Sequence, residues 1–445
     1  MIENDAFKLL LINLFHLNPD DIANIFCTTF NKMMVLIVTL ADKHQACPYC
    51  GFTAPKIKEY VTKEITHSAL TTQKCIIKYR ARRYKCPCCG KTYYEFNPFV
   101  FKSQKISILT VHNILKDLKD FNETFTSVAR RYHVSPTSVS TIFDNHVDIG
   151  RNPLPEIINF DEVYAFKSEK SKYVCVLLDF KKQIPVDVLP NRKKEYLLNY
   201  FQKIPLEERK KVKYACSDMY EVYRDVVHKV FPCSCMLLDY FHLSQDFHRK
   251  MNEVRIKVMK GYKDNKASDE YYLLKKFNWL LFKNPEDEDK YGRLFDVERE
   301  RKYNSHFKSY MNYYDLRKKL LEINNDLTIC YSLKLELVDF YSKSTIDNAQ
   351  VNLEHLIRSC IDTNIEEMIA FSNNLINWKQ EIINSFTIVG TEYKVEADKG
   401  QVVVCNKKVN NAIIENRNKI IKCIKNNANG YTNWLRFRNR VMYVL

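Results

Sequence analysis

Ile157-Ile-Asn-Phe-Asp161, Lys172-Tyr-Val-Cys-Val-Leu-Leu-Asp-Phe180 and Ile184-Pro-Val-Asp-Val-Leu189 are three closely spaced apolar runs, and their reading decides the fold. Their lengths and their β-branched content are those of strands. The second is nearly all apolar, which predicts a central position in a sheet covered on both faces. Working outward, a helical pattern follows from Lys193 to about Gln202, then a strand at Val212–Ser217. A second helix covers about Tyr220–Val230, and a further strand Cys235–Asp239. Before the first run, Arg151-Asn-Pro-Leu-Pro155 reads as a linker. From about Phe241 to Lys379 the pattern is helical and charged, with no strand signal. The tail from Val402 to Leu445 closes with an amphipathic helix and a basic, aromatic end.

Three consecutive strands followed by alternating helix and strand is the order of a ribonuclease H-like sheet. In that order the first and fourth strands are neighbours, about 4.8 Å apart. Asp161 ends the first and Asp218 the fourth, so the two carboxylates can share hard cations, as two-metal phosphoryl transfer requires. Singly, a strand-end Asp is an ordinary turn former; the placement gives this pair its meaning. A third acid is expected on a late helix. In Asn410-Asn-Ala-Ile-Ile-Glu415-Asn-Arg-Asn-Lys-Ile-Ile-Lys422, helical spacing gathers Ile414, Ile420, Ile421 and Ile424 on one side. Glu415 then falls in the middle of the polar stripe, with Asn411, Asn418, Lys419 and Lys422. Glu381, Glu392 and Glu396 are its rivals.

At 445 residues the chain exceeds one ordinary core. Its 46% hydrophobic and 27% charged residues make it globular rather than disordered. There are 69 Lys and Arg against 53 Asp and Glu, a surplus of +16 that a polyanion would relieve. The longest greasy run, Met33 to Leu40, is far short of the roughly 20 residues that span a bilayer, so no membrane role is expected. No export signal is visible, so the fifteen cysteines point to reduced thiols and metal binding in an intracellular protein. Near the start, Phe7, Leu10, Leu11 and Leu14 suggest a short amphipathic helix, followed by a strand over Met33–Leu40.

Cys47-Pro-Tyr-Cys50-Gly51 is answered after 35 intervening residues by Cys86-Pro-Cys-Cys89-Gly90. Two residues between thiolates let one tight turn present both sulfurs to a tetrahedral ion, and the Gly accepts the backbone just beyond. The pair predicts a structural Zn²⁺ held by Cys47, Cys50, Cys86 and Cys89, with Cys88 as an alternative to Cys89. Between the knuckles, period-2 alternation puts Lys78, Arg80 and Arg82 on one strand face. From Lys74 to Lys102 there are eight basic residues and one acid. Interleaved with Tyr79, Tyr84, Tyr93 and Tyr94, these suit phosphate contact, although a solvated strand face has the same pattern.

Thr126-Ser-Val-Ala-Arg-Arg-Tyr-His-Val-Ser135-Pro-Thr-Ser-Val-Ser-Thr-Ile-Phe143 has the form of a helix-turn-helix. Val128, Ala129 and Tyr132 form one inner face and Val139, Ile142 and Phe143 the other. Val134 plugs the turn, while Ser135 caps the second helix and Pro136 takes its first position. Thr137, Ser138, Thr141 and Asn145 then face outward, short polar side chains suited to DNA.

Taken together, the chain resembles insertion-sequence transposases of the ISL-three family over essentially its whole length. The paired knuckles, the helix-turn-helix, the Asp161-Glu162 strand and Ser217-Asp218-Met219-Tyr220 carry the resemblance. Leu238-Asp-Tyr-Phe-His-Leu243, the late Asn-x-x-Ile-Glu415-x-x-Asn and the closing Gly430-Tyr431-x-Asn433…Phe437-Arg438-x-Arg440 complete it. The resemblance implies a catalytic triad of Asp161, Asp218 and Glu415 binding Mg²⁺ or Mn²⁺, and an insertion between Asp218 and Glu415. It leaves Asp239 and His242 open, since either residue can simply support the sheet edge. Its implied partners are double-stranded DNA, as terminal inverted repeats and target, and further copies of the chain. The implied setting is the bacterial cytoplasm, at the nucleoid.

The expected architecture is multidomain, α+β and α/β. It runs as an N-terminal helix and strand (1–45), a zinc ribbon (46–100) and a helix-turn-helix (103–147). A ribonuclease H-like catalytic core follows (156–243), then a mainly helical insertion (244–400), then the last part of the core with a basic C-terminal helix (401–445). The expected function is DNA cleavage and strand transfer. The alternatives are a zinc-ribbon and helix-turn-helix regulator without catalysis, which need not keep the three acids, and a nuclease that cuts without joining.

Overall fold

The computed structural model describes all residues except 1, 44, 69–71, 103, 167–170 and 396–401, with the backbone alone for 2–5, 392–395 and 402–405. Two compact units account for the chain. One comprises Met1–Arg151, Val163–Tyr173 and Arg417–Leu445; the other comprises Asn152–Glu162 and Val174–Asn416.

The first unit opens with helix α1 (Ile2–Leu14) and strands β1 (Ile22–Phe30), β2 (Met33–Leu40), β3 (Lys56–Thr66), β4 (Cys75–Lys85) and β5 (Thr92–Tyr94). These strands form one sheet in the order β1-β2-β4-β3, with β5 on β4, so residues 1–45 and 46–100 share a sheet and a core. Strand β1 is missing from the sequence reading. Its hairpin turns on Asn31 and Lys32 at φ 48° and 61°, the positive values a type I′ turn needs, but Asn-Lys is a weaker signal than Asn-Gly. The expected inner face of α1 is corrected. Leu11, Ile12 and Phe15 are buried, whereas Phe7, Leu10 and Leu14 are exposed. Four consecutive apolar residues, Leu9 to Ile12, leave the period ambiguous, and packing on the sheet chooses the face.

Helices α2 (Ile108–Asp117), α3 (Phe125–Arg131) and α4 (Pro136–His146) follow. Val128, Ala129, Tyr132, Val139, Ile142 and Phe143 pack together with Val111 and Ile114. Ser135 caps α4 by accepting from the backbone of Ser138 at 3.0 Å, and Pro136 begins the helix.

The second unit is built on β6 (Ile157–Val163), β7 (Val174–Asp179), β8 (Pro185–Leu189), β9 (Tyr214–Ser217) and β10 (Cys235–Leu238). Their order is β10-β9-β6-β7-β8. Strand β9 runs parallel to both β6 and β10, while β7 and β8 are antiparallel. Helices α5 (Lys194–Gln202), α6 (Leu206–Arg209) and α7 (Glu221–Val230) connect them. Phe160, Phe201, Tyr223 and Val227 belong to the core on one face; Ile157, Phe180, Cys216 and Leu237 belong to that on the other. Strand β6 continues two residues past Asp161, so this carboxylate lies within the strand and not at its end.

Beyond α8 (Tyr240–Gly261) come α9 (Asp269–Lys276), α10 (Tyr313–Glu322), α11 (Asn325–Lys343), α12 (Ala349–Asp362), α13 (Glu366–Asn377) and α14 (Lys379–Asn384). They share one core that includes Leu243, Phe247, Leu337 and Phe371. The expected absence of strands is corrected by two small hairpins. These pair β11 (Glu288–Asp289) with β12 (Gly292–Arg293) and β13 (Lys302–Asn304) with β14 (Ser309–Met311). Strands this short cannot show alternation. A third hairpin, β15 (Ile388–Val395) with β16 (Val402–Lys408), spans the expected boundary at residue 400. Helices α15 (Ala412–Asn427) and α16 (Trp434–Val444) end the chain.

Helix α16, expected with the catalytic core, belongs to the first unit. Arg440 is 1% exposed and donates to the carbonyls of Asp120 and Glu123 at 2.8 Å each. Asn439 donates to the Val147 carbonyl at 2.9 Å, and Arg436 pairs with Asp144 at 2.6 Å. The closing sequence motif is therefore structural. Gly430 turns at φ 98°, Asn433 caps α16, and Phe437 is buried. Among the described residues, no helix is long and apolar enough to cross a membrane.

Candidate functional site

Parallel pairing brings three aspartates to one edge of the second sheet. Asn159 lies opposite Cys216, so the same register two residues on sets Asp161 beside Asp218. Leu238 lies opposite Ser217, so Asp239 follows beside Asp218, its N–H donating to the Ser217 carbonyl at 3.0 Å. Asp218 and Asp239 directly follow their strands and Asp161 lies two residues before the end of β6, all toward the carboxyl side of parallel strands, where α/β sheets hold ligands.

Glu415 reaches the same edge from the first turn of α15. The start of that helix is bolted to the sheet. Asn159 Nδ2 donates to Asn411 Oδ1 at 2.7 Å and to the Asn410 carbonyl at 2.8 Å. The Asn411 N–H in turn donates to Asp239 Oδ1 at 3.2 Å. Asn411 and Asn418, expected on the polar stripe with Glu415, are buried, and the Glu415 side chain is 33% exposed. The stripe faces the protein at this end. Ile414, Ile421 and Ile424 are buried as expected.

Burial, reinforced by the Asp218 charge, pushes the Asp161 carboxyl up to about 7; Glu415 and Asp239 add to the shift, and His242 opposes it. Burial also raises Asp218 and Asp239. Asp218 Oδ1, Asp239 Oδ2 and His242 Nε2 are buried without a hydrogen-bond partner. Buried polar atoms are nearly always satisfied, so this convergence of acceptors fits divalent cations. Ligand atoms of Asp239, His242 and Glu415 lie within 4.8 Å of one another. The sequence signal for Asp239 and His242 was Leu238-Asp-Tyr-Phe-His-Leu243, and spacing alone did not separate a sheet-edge role from a site role. Of the rival acids, Glu381 is buried on α14, 4.0 Å from Arg224. The Glu392 side chain and the whole of Glu396 lie outside the described residues.

In the first unit, Cys47, Cys50, Cys86 and Cys89 gather with all four sulfurs within 4.8 Å. The two knuckles repeat one geometry. Gly51 donates to the Cys47 carbonyl at 2.8 Å and Gly90 to the Cys86 carbonyl at 2.9 Å, at φ 75° and 72°. The backbone N–H of Cys89 helps hold the Cys86 thiol down to about 7. Cys88 is exposed and stands outside the cluster, whereas Cys89 is one of its four members. Four converging thiols fit a tetrahedral zinc ion.

The expected DNA-facing residues divide. Thr137, Thr141 and Asn145 are exposed along α4, and Ser138 is half-buried. Arg80 is exposed, and Lys78 pairs with Glu64 at 2.7 Å. Arg82 is held inside the fold, bonding Glu95 at 2.8 Å and the Leu40 carbonyl at 3.1 Å. Arg82 keeps the strand face that alternation gives it, but Glu95 and the Leu40 carbonyl lie over that end of the face, contacts that period-2 counting cannot foresee.

A family model described as a transposase, of the ISL3 DDE type, matches residues 158–397. The chain belongs to the ISL3 family of DDE transposases. A transposase for insertion sequence element IS1001 from Bordetella parapertussis is 19% identical over 391 residues, covering 87% of this chain and 86% of that protein. Family membership implies phosphoryl transfer on DNA. The matched segment holds Asp161, Asp218, Asp239 and His242 of this transposase, and it ends before Glu415.

Proposed function

We propose that this transposase binds the terminal inverted repeats of an insertion sequence, cleaves there, and joins the freed ends to target DNA. Asp161, Asp218 and Glu415 are its catalytic triad, in a ribonuclease H-like core. The observation that carries this reading is the convergence of the buried Asp161 on β6, the half-buried Asp218 just after β9 and the partly exposed Glu415 on α15, with Asp161 pushed up to about 7 largely by burial and by Asp218. Mg²⁺ or Mn²⁺ held there would supply the charge that activates the attacking oxygen and stabilises the leaving one. Asp161 and Asp218 are fixed by strand register, and Glu415 by the Asn159–Asn411 bond, so the three oxygen donors are preorganised. In cleavage, water attacks the phosphodiester and the released strand leaves with a 3′-hydroxyl. In joining, that hydroxyl attacks a target phosphodiester, so one P–O bond forms as another breaks and no outside energy is needed.

The four-cysteine cluster acts as a Zn²⁺ ribbon and α3–α4 as a helix-turn-helix, with Thr137, Ser138, Thr141 and Asn145 toward the DNA. Lys78 and Arg80 add phosphate contacts. Assembly of more than one copy on two element ends, at the nucleoid of the cytoplasm, completes the proposal. Its test is cleavage of end-bearing DNA by the full chain. Asp161→Asn, Asp218→Asn and Glu415→Gln should each lose cleavage by at least a hundredfold and keep specific DNA binding. Normal cleavage by all three variants would falsify the mechanism.

A further inference from the structure

We infer that Asp239 and His242 are cation ligands, completing with Glu415 a second set of donors beside Asp161 and Asp218. The inference rests on the proposed catalytic site and adds two residues to it.

The geometry favours it over a sheet-edge role. His242 Nε2 lies 3.8 Å from Asp239 Oδ2 and 4.0 Å from Glu415 Oε1. An imidazolium neutralising two carboxylates would close to hydrogen-bond contact, about 2.8 Å. At 3.8 and 4.0 Å the two separations are too wide for hydrogen bonds, and the ligand atoms of all three residues lie within 4.8 Å of one another, which leaves room for one ion between them.

Burial points the same way. Asp239 is 3% exposed, and its two oxygens have different tasks. Oδ1 accepts the Asn411 N–H, while Oδ2 is buried, unpartnered and aimed at His242. His242 Nε2 is likewise buried without a hydrogen bond. Asp239 precedes α8 and His242 sits in its first turn, so both are carried on a rigid element. An imidazole among carboxylates favours a transition ion such as Mn²⁺ over Mg²⁺.

The test uses the full chain without DNA, its cysteine cluster first loaded with one equivalent of zinc, and Mn²⁺ as the probe. Pulsed electron paramagnetic resonance should detect nitrogen coupled to the bound Mn²⁺. His242→Gln should abolish that coupling, and both His242→Gln and Asp239→Asn should weaken Mn²⁺ binding at least tenfold with unchanged circular dichroism. The weaker-perturbing His242→Asn serves if glutamine fails to fold. Mn²⁺ bound without nitrogen coupling, or with coupling that survives in both His242 variants, overturns the inference. If Mn²⁺ binding falls in Asp161→Asn and stays at the wild-type level in Asp239→Asn and the His242 variants, the inference fails while the triad stands.

Discussion

Asn159 and Asn411 join side chain to side chain at 2.7 Å across 252 positions of sequence, both fully buried. This bond fastens the strand that carries Asp161 to the helix that carries Glu415.

Loosening that fastening should therefore cost activity more than stability. Asn411→Ala leaves Asn159 the Asn410 carbonyl at 2.8 Å, so about 1–2 kcal/mol of stability is at stake. Displacement of Glu415 by even about 1 Å can cost roughly a hundredfold in rate. Urea unfolding and single-turnover cleavage measure the two effects. A variant that cleaves like wild type would show that the bond does not position Glu415.

Metal-free stability should depend on Asp161 with an unusual sign. Its folded-state value of about 7 stands above the roughly 3.9 of an unfolded Asp. Between these values the native state keeps a proton that the unfolded chain has lost, so stability falls as pH rises from about 4 to about 7. Below about 4 both states are protonated and the penalty vanishes. Asp161→Asn should thus stabilise the metal-free protein at about pH 8, by roughly 2–4 kcal/mol, and leave it unchanged at about pH 4. Added Mn²⁺ should recover the loss in wild type at pH 8. Parallel stability curves for the two proteins would contradict the burial argument.

Zinc content should follow cluster membership. Cys47→Ser and Cys89→Ser should each lose bound zinc, while Cys88→Ser retains one equivalent, because Cys88 lies outside the four converging sulfurs. Metal analysis after dialysis decides it, and a Cys88→Ser protein lacking zinc counts against the assignment.

DNA binding should need the far end of the chain. Arg440 satisfies two carbonyls in the α2–α3 connection, and Tyr443 donates to the Leu115 carbonyl at 3.1 Å. Residues 46–147 alone should therefore bind DNA poorly, whereas Arg440→Met in the full chain should cost about 3 kcal/mol. Gel shifts and thermal melts provide the measurements. Tight, specific binding by the isolated fragment would make α16 dispensable.

Local chemistry in the sequence determined the two Cys-Pro-x-Cys-Gly turns, the Ser135-Pro136 start of α4 and the individual strands around Asp161. Each depends on residues adjacent in the chain or on one period of a strand or helix, whereas the neighbourhood of Asp161 and Asp218 depends on the parallel pairing of β6 with β9, strands separated in sequence by β7, β8 and two helices. Tertiary structure decided the rest. Leu9 to Ile12 gave α1 two possible inner faces, and only the sheet chose between them. Helical spacing put Asn411 and Glu415 on one polar stripe of α15, but only the fold shows that Asn411 is fastened to Asn159. Arg82 looked free for phosphate until Glu95 and the Leu40 carbonyl took it. Asp239 and His242 were visible as a motif, but their convergence with Glu415 arises from contacts across more than a hundred residues, which no local pattern encodes. Helix α16 packs on α2–α4 for the same reason: a buried Arg440 needs carbonyls that only the folded first unit supplies.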